Sequence, residues 1–298
     1  MPKEIVCFGE MLWDLLPTGK LPGGAPMNVA VHLTYLGERV HLISRLGQDA
    51  LGQELTSFLQ QKGLGLALVQ TDATTPTGTV KVNVSDKHEV RYEIVAPAAW
   101  DFISYSEEAA QTVSRSHAFV YGSLAARHEV TRQTLREYLT RGNLNVLDVN
   151  LRPPFYSQEL LEELLSAAHI AKMNHHELAE ISAWYGPATD LRESMRFLRQ
   201  RFNVELLIVT QGENGAMVLQ GDHFYEQAGF PVPVQDTIGS GDAFLAYFLH
   251  ALLQGEGVAT ALRTACAAGA LVATHTGATP QLTEQDLQTF LANQRHLQ

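Results

Sequence analysis

Six short apolar runs, at 5–8, 40–44, 117–121, 145–149, 170–173 and 206–210, are separated for the most part by stretches whose apolar residues recur at helical spacing. Few folds accept that alternation. A strand, a helix and a second parallel strand pack only if the helices cover the sheet, so both sheet faces are expected to be buried. The helical stretches run over 28–36, 51–62, 131–141, 159–168, 176–184 and 191–202, and a long apolar pair at 242–253 and 258–274 ends the series. A different pattern occupies 77–84 and 89–95, where Val80, Val82 and Val84 alternate with Lys81 and Asn83 across a turn containing Asp86 and Lys87. That is the pattern of a half-exposed hairpin. With 298 residues and 45% hydrophobic content the chain can bury a sizeable core, and it has no internal repeat or low-complexity linker. The hairpin is therefore read as an excursion from one domain covering 1–298.

The formal charge is −11 and no basic run occurs, which argues against a nucleic-acid or anionic-membrane surface. An anionic ligand would have to be held by local backbone donors and a few cations. Cys7 and Cys266 lie far apart in apolar contexts without metal-ligand spacing, so they read as reduced core residues. No stretch approaches the roughly 18 uninterrupted apolar residues of a membrane span, and a cytoplasmic protein is expected. There is neither a G-x-x-x-x-G-K-[ST] loop nor a G-x-G-x-x-G after the first strand, which removes the P-loop and dinucleotide-binding readings.

The segment Asp236-Thr237-Ile238-Gly239-Ser240-Gly241-Asp242-Ala243-Phe244 places a Gly/Ser turn and a carboxylate ahead of an apolar helix. Gly239 and Gly241 can adopt backbone angles that aim consecutive N–H groups into the helix's first turn, a nest suited to phosphate. Taken alone, Ser240 or Asp242 serves as well as an ordinary helix cap. Near the N-terminus, Gly23 and Gly24 precede Asn28, whose amide both donates and accepts and so suits a ligand rich in hydroxyls. Alone, that too reads as a turn and a cap.

In this order and at this separation the two segments resemble the paired signatures of the ribokinase-like (PfkB) carbohydrate kinases. Asp148-Val149-Asn150-Leu151-Arg152 resembles the family's D-x-N-x-R segment, Asn174-His175-His176-Glu177 its N-x-x-E element, and Thr210 to Gly215 its T-x-G-x-x-G turn. The likeness spans nearly the whole chain. It implies a three-layer αβα sandwich with a mostly parallel central sheet and a small β lid built from about 12–22 and 77–101. It further implies an ATP- and Mg²⁺-dependent phosphotransferase acting on a primary hydroxyl of a sugar.

Carried over residue by residue, the likeness makes Asp242 the proton acceptor and Gly239, Ser240 and Gly241 the anion hole. Many family members have Ala where this chain has Ser240, but the backbone N–H is the same. Asp14 would bond sugar hydroxyls, with Gly23, Gly24 and Asn28 as partners, while Arg152 would neutralise phosphate charge. Asn174 and Glu177 would order water around Mg²⁺ and the nucleotide phosphates. Thr210, Gly212 and Gly215 would contact ATP, and 231–235 with 265–274 would flank adenine. K⁺ is expected beside the anion hole, on Asp236 and main-chain carbonyls near Val272, His275 and Gly277. Trp13, Trp100 and Asp101 are candidates for the lid side of the pocket, and a homodimer through the lid is expected. His175 and His176 invite a metal reading, but adjacent helical positions are expected to point apart and no third ligand follows.

The segments 9–17, 21–28 and 92–101 resemble bacterial fructokinases more than ribokinases, so fructose is the expected acceptor and fructose 6-phosphate the product. Ribose and 2-keto-3-deoxygluconate remain alternatives, with a nucleoside less favoured for want of an extra aromatic clamp. A catalytically silent sugar or nucleotide sensor is the alternative outside the enzymes.

Overall fold

The computed structural model describes residues 1–17, 19–84, 90–186 and 190–294. Its strands in chain order are β1 (Glu4–Phe8), β2 (Leu12–Leu16), β3 (Gly19–Gly23), β4 (Arg39–Gly47), β5 (Val69–Asp72), β6 (Gly78–Val84) and β7 (Val90–Ile94). They continue with β8 (Ala118–Gly122), β9 (Asn145–Asp148), β10 (Ile170–Asn174), β11 (Leu206–Thr210), β12 (Ala216–Gln220) and β13 (His223–Gln227). Nine of them form one sheet in the order β13-β12-β11-β10-β9-β8-β1-β4-β5, parallel except for the antiparallel run from β11 through β13.

Alternate side chains of the central strands divide between two cores. Ile5 and Cys7 of β1, Val120 of β8, Val146 of β9 and Ile208 of β11 enter one, with the helices Ala25–Tyr35, Ala50–Gln61, Ser240–Leu253 and Val258–Val272. Val6, Phe8, Tyr121, Leu147 and Val209 enter the other, under the helices Glu107–Arg115, Glu129–Leu139, Gln158–Ser166, His175–Ala183 and Leu191–Phe202. Period-two strands with apolar residues toward both faces thus have a helical layer on each side, the arrangement that the apolar runs require.

The remaining strands form a separate four-stranded sheet in the order β3-β2-β6-β7. β6 and β7 pair antiparallel, with Val80 opposite Ile94, and Val80 is buried while Lys81 is exposed. The expected turn at Asp86 and Lys87 lies outside the described residues. Because β2 pairs parallel to β6, the stretch after β1 and the hairpin at 78–94 belong to one small sheet. Three residues, 9–11, separate β1 from β2, so the small sheet leaves the large one directly beside the crevice at the carboxyl ends of the parallel strands. Among the described residues no helix is long and apolar enough to cross a membrane.

Helix Ser240–Leu253 anchors the site's side of the molecule through its packing on Val258–Val272, with Leu249 fully buried. Leu249→Ala is expected to destabilise the protein by about 2–5 kcal/mol, the transfer loss plus the cavity left behind. Urea unfolding measures this, and a change under about 1 kcal/mol would mean that the interface can collapse onto the void.

Candidate functional site

Gly239 caps the helix Ser240–Leu253 with left-handed backbone angles, φ 80° and ψ −7°, and no side chain bonds the first turn. The capping reading of Ser240 and Asp242 therefore fails. Ser240 Oγ has no partner, and Asp242 accepts instead from Asn28 Nδ2 at 2.8 Å. A Cβ at residue 239 would lie 2.4 Å from the Ala278 carbonyl oxygen, so this turn admits only glycine. The consequence is a helix N-terminus whose N–H groups and dipole are available to an anion.

A cation that the sequence reading passed over lies beneath it. Lys172 is buried in β10, and its Nζ donates to both carboxylate oxygens of Asp148 at 2.9 Å. The same Nζ would stand 3.4 Å from a Cβ on Gly241, which puts the ammonium against the helix's first turn. Burial opposes the charge, but Asp148 and Asp242 more than offset it and the lysine's pKa is raised. Asp242 shows the complementary balance. Burial and the charge of Asp148 push its carboxyl up to about 6, against the pull of Lys172, the Asn28 bond and Arg152. The available signal was a lysine inside an apolar run read as a strand buried on both faces.

On the other side of the site, Gly24 caps helix Ala25–Tyr35 with φ 117°, where a Cβ would meet the Glu10 carbonyl oxygen at 2.3 Å. Gly23 is equally constrained, because a Cβ there would lie 2.5 Å from Asp14 Oδ2. Asp14 is thus folded against the glycine pair. Burial raises its pKa to about 6, moderated by Arg152. Glu10 was not singled out from sequence. Its Oε1 accepts from Ala25 N at 3.3 Å, Oε2 has no partner, and burial lifts its pKa to about 7. Arg152 is exposed, with Nη1 donating to the Leu151 carbonyl at 3.0 Å. Its charge pulls down the pKa of Asp14, Glu10 and Asp242 against the effect of burial.

Asn174 and Glu177 form a capping box. Asn174 Oδ1 accepts from His176 N and Glu177 N at 2.9 Å, and Glu177 Oε2 accepts from Asn174 N at 2.7 Å. Glu177 Oε1 also accepts from Leu151 N at 2.8 Å, joining the N-x-x-E and D-x-N-x-R segments. Asn174 is the register partner of Thr210, so Gly212 and Gly215 turn beside it with φ 59° and 95°. Asp236 accepts from Ile238 N at 3.0 Å and from Gly277 N at 3.1 Å, while the Val272 carbonyl accepts from His275 N at 2.9 Å.

Two expectations about aromatic groups need correction. The rings of His175 and His176 do not point apart: they lie 3.9 Å from each other, because His175 is the first residue of its helix. Trp100 and Asp101 face inward rather than toward a pocket, with Trp100 fully buried, Asp101 paired to Arg127 at 2.7 Å and the guanidinium stacked 3.8 Å over the indole. Trp13 donates from Nε1 to the Leu51 carbonyl at 3.0 Å and packs on the large body.

The arrangement can hold an anionic group at a helix N-terminus, where the Ser240 N–H makes a 3.2 Å bond to the Thr237 carbonyl, above a buried ammonium and next to a carboxylate able to take a proton. Comparison with known proteins agrees with this chemistry. The family model described as pfkB family carbohydrate kinase matches residues 3–285. A fructokinase of Salmonella typhimurium is 30% identical, with 96% of this chain and 98% of that protein aligned. The structure of aminoimidazole riboside kinase from Salmonella enterica, complexed with aminoimidazole riboside and an ATP analog, superposes with a TM-score of 0.83 at 26% identity, covering 97% of this chain and 99% of that one. A fructokinase from Xylella fastidiosa with bound ATP gives a TM-score of 0.86 at 24% identity, covering 99% and 100%.

The raised carboxyl of Asp242 has a sign that stability measurements can read. A carboxyl whose folded pKa lies above its unfolded value contributes its stability below the unfolded pKa and loses it as pH rises through the folded one, here between about 4 and 6. Asp242→Asn, which can still accept from Asn28, is expected to raise Tm at pH 7 and to lose that advantage near pH 4. A gain that grows on acidification would mean that the carboxylate is stabilised in the fold.

Proposed function

The chain belongs to the pfkB family of carbohydrate kinases, and from that premise we propose that it transfers the γ-phosphoryl group of ATP to the primary hydroxyl of fructose, giving fructose 6-phosphate and ADP. The observation that carries the reading is the uncapped first turn at Gly239–Gly241, set over the Lys172 ammonium and beside an Asp242 carboxylate anchored by Asn28.

In this reading Asp14, Gly23, Gly24 and Asn28 hold the sugar, and Arg152 lends charge at the open edge. The hydroxyl oxygen bonds to the γ-phosphorus as the bond to the ADP oxygen breaks, and Asp242 takes the hydroxyl proton. Its pKa of about 6 leaves it ionised at pH 7 yet closer to neutrality than an exposed aspartate, as a proton acceptor needs. Because the transition state is loose, the proton can leave late. The N–H groups of Gly239, Ser240 and Gly241, backed by Lys172, stabilise the equatorial oxygens. Donors of this kind are worth about 3 kcal/mol each in a dry site. Asn174, Thr210, Gly212 and Gly215 line the nucleotide side.

A divalent ion carried with the nucleotide, Mg²⁺ in our reading, would neutralise the β- and γ-phosphate oxygens. Glu177 is suited to hold its water shell rather than the ion, since both carboxylate oxygens already accept backbone N–H bonds. For K⁺ the residues fit in part: Asp236 is tied to Gly277 N–H, but the Val272 carbonyl is already engaged by His275 N–H. Such an ion would add positive charge next to the anion hole. We place the enzyme in the cytoplasm, where ATP and free sugar meet, and assign the open edges of β3 and β7 to a homodimer.

Fructose is supported by the likeness to the Salmonella typhimurium fructokinase over nearly the whole chain. An ADP-release assay over fructose, ribose, 2-keto-3-deoxygluconate and aminoimidazole riboside should give fructose the highest kcat/KM. A different winner overturns the sugar and leaves the kinase, whereas no release with any sugar returns the silent sensor. Asp242→Asn should lower kcat by about 10²–10⁴ while both ligands still bind. Asp14→Ala should raise the sugar KM roughly ten- to a hundredfold with ATP binding little changed, because its bonds are made in ground and transition states alike.

The cation reading has its own test. Potassium should raise the rate above that in sodium or a large organic cation at matched ionic strength, and equal rates in all three would remove the site.

A further inference from the structure

Helix Ala25–Tyr35 presents two polar side chains one turn apart toward helix Ser240–Leu253. The first, Asn28, holds Asp242. The second, His32, has no accessible surface, and its Nε2 lies 3.0 Å from the Ala278 carbonyl oxygen. A carbonyl only accepts, so Nε2 carries the proton and donates it. Nδ1 has no partner, and the ring edges meet Tyr35 and Tyr247. Burial holds the imidazole down to about 4, so the neutral ring makes one directed hydrogen bond in a dry setting throughout the neutral range.

Ala278 is where that bond matters. Its carbonyl oxygen and its Cβ would stand 2.4 Å and 2.7 Å from a Cβ at residue 239, so the left-handed turn of Gly239 rests on this residue. The preceding residue is fixed from another direction, through Gly277 N–H donating to Asp236 Oδ2. The wall behind the uncapped first turn is thus held by the helix that also holds the proton acceptor.

We propose that His32 is a positioning residue for phosphoryl transfer: its Nε2–H fixes the Ala278 carbonyl, and Ala278 in turn fixes the Gly239 turn that aims the first-turn N–H groups. The proposal rests on reading Gly239–Gly241 as the anion hole and adds what keeps that hole in register with Asp242. Alignment of donors with developing charge is the property most sensitive to small shifts, and a displacement of about 1 Å can cost about a hundredfold in rate.

The test compares two substitutions in the full chain, at a temperature where unfolding curves show each protein folded. His32→Leu keeps volume and removes the donor, and His32→Gln keeps an N–H of similar reach. His32→Leu is expected to lower kcat about ten- to a hundredfold with the fructose KM changed less than about threefold, and His32→Gln to recover most of the loss. A second readout does not depend on turnover: affinity for ADP with aluminium fluoride and fructose, a mimic of the transferring group, should fall in His32→Leu while affinity for ADP alone holds. Should the leucine protein not fold, His32→Met takes its place. Wild-type kcat in the donor-free variant overturns the proposal, as does an equal loss in the leucine and glutamine variants. Asp242→Asn run in parallel separates the layers, because near-normal turnover there discards Asp242 as the proton acceptor and with it the catalytic reading of the site on which the proposal rests.

Discussion

A lysine ammonium buried in the middle of a parallel sheet is the constraint to which the rest of the site conforms. An isolated charge there would be prohibitive, and removing one partner of a buried pair typically costs about 3–5 kcal/mol. Lys172 is retained by two bonds to Asp148 on the neighbouring strand, and the pair lies under the first turn of helix Ser240–Leu253. Everything above it is arranged around that charge. Gly241 leaves the ammonium uncovered, Asp242 keeps its charge at pH 7 despite burial, and Glu177 is fastened by backbone donors from two segments.

The way the helices begin shows the same discrimination. Helices that start at Ala50, Glu107, Gln158 and Leu191 are capped by the side chains of Asp49, Ser106, Ser157 and Asp190. The helix at His175, also beside the site, is capped by Asn174, and the one at Val258 has no side-chain cap after Gly257. The helices at Ala25 and Ser240 follow Gly24 and Gly239 and have no side-chain cap either, but Ala25 N donates to Glu10 Oε1, which leaves the Ser240 turn to present donors to a ligand. Glycine is required at these two positions by close approach as well as by φ, since a Cβ would strike backbone in both cases.

Much of this was legible in the residues. The runs at 5–8, 40–44, 117–121, 145–149, 170–173 and 206–210 all became strands of the large sheet, because a strand buried on both faces is largely apolar, with exceptions such as Lys172 and Asp148 held by each other. The half-exposed hairpin of β6 and β7 was legible from its alternation, but short polar or small-residue elements were not. β5 is Val-Gln-Thr-Asp, and helix Glu107–Arg115 buries only Ala109, Ala110, Thr112 and Val113, so neither carries a strong apolar signal. At the site, the glycine turns and Asp242 announced themselves through spacing along the chain. Lys172, Glu10 and His32 did not, because each acts through a neighbour distant in sequence: Asp148, Ala25 and Ala278. Trp100 misled for the opposite reason, since its place in the small sheet's approach suggested a pocket wall while its indole serves the core.

Asp14 sits on β2 of the small sheet, and Asp242 sits on a helix of the large body. The two carboxyls therefore belong to different layers of the fold, joined at this point by the short stretch 9–11. On the proposed reading a sugar bonded by both would bridge the small sheet and the large body, so the distance between its two anchors would set the length of molecule that the site accepts.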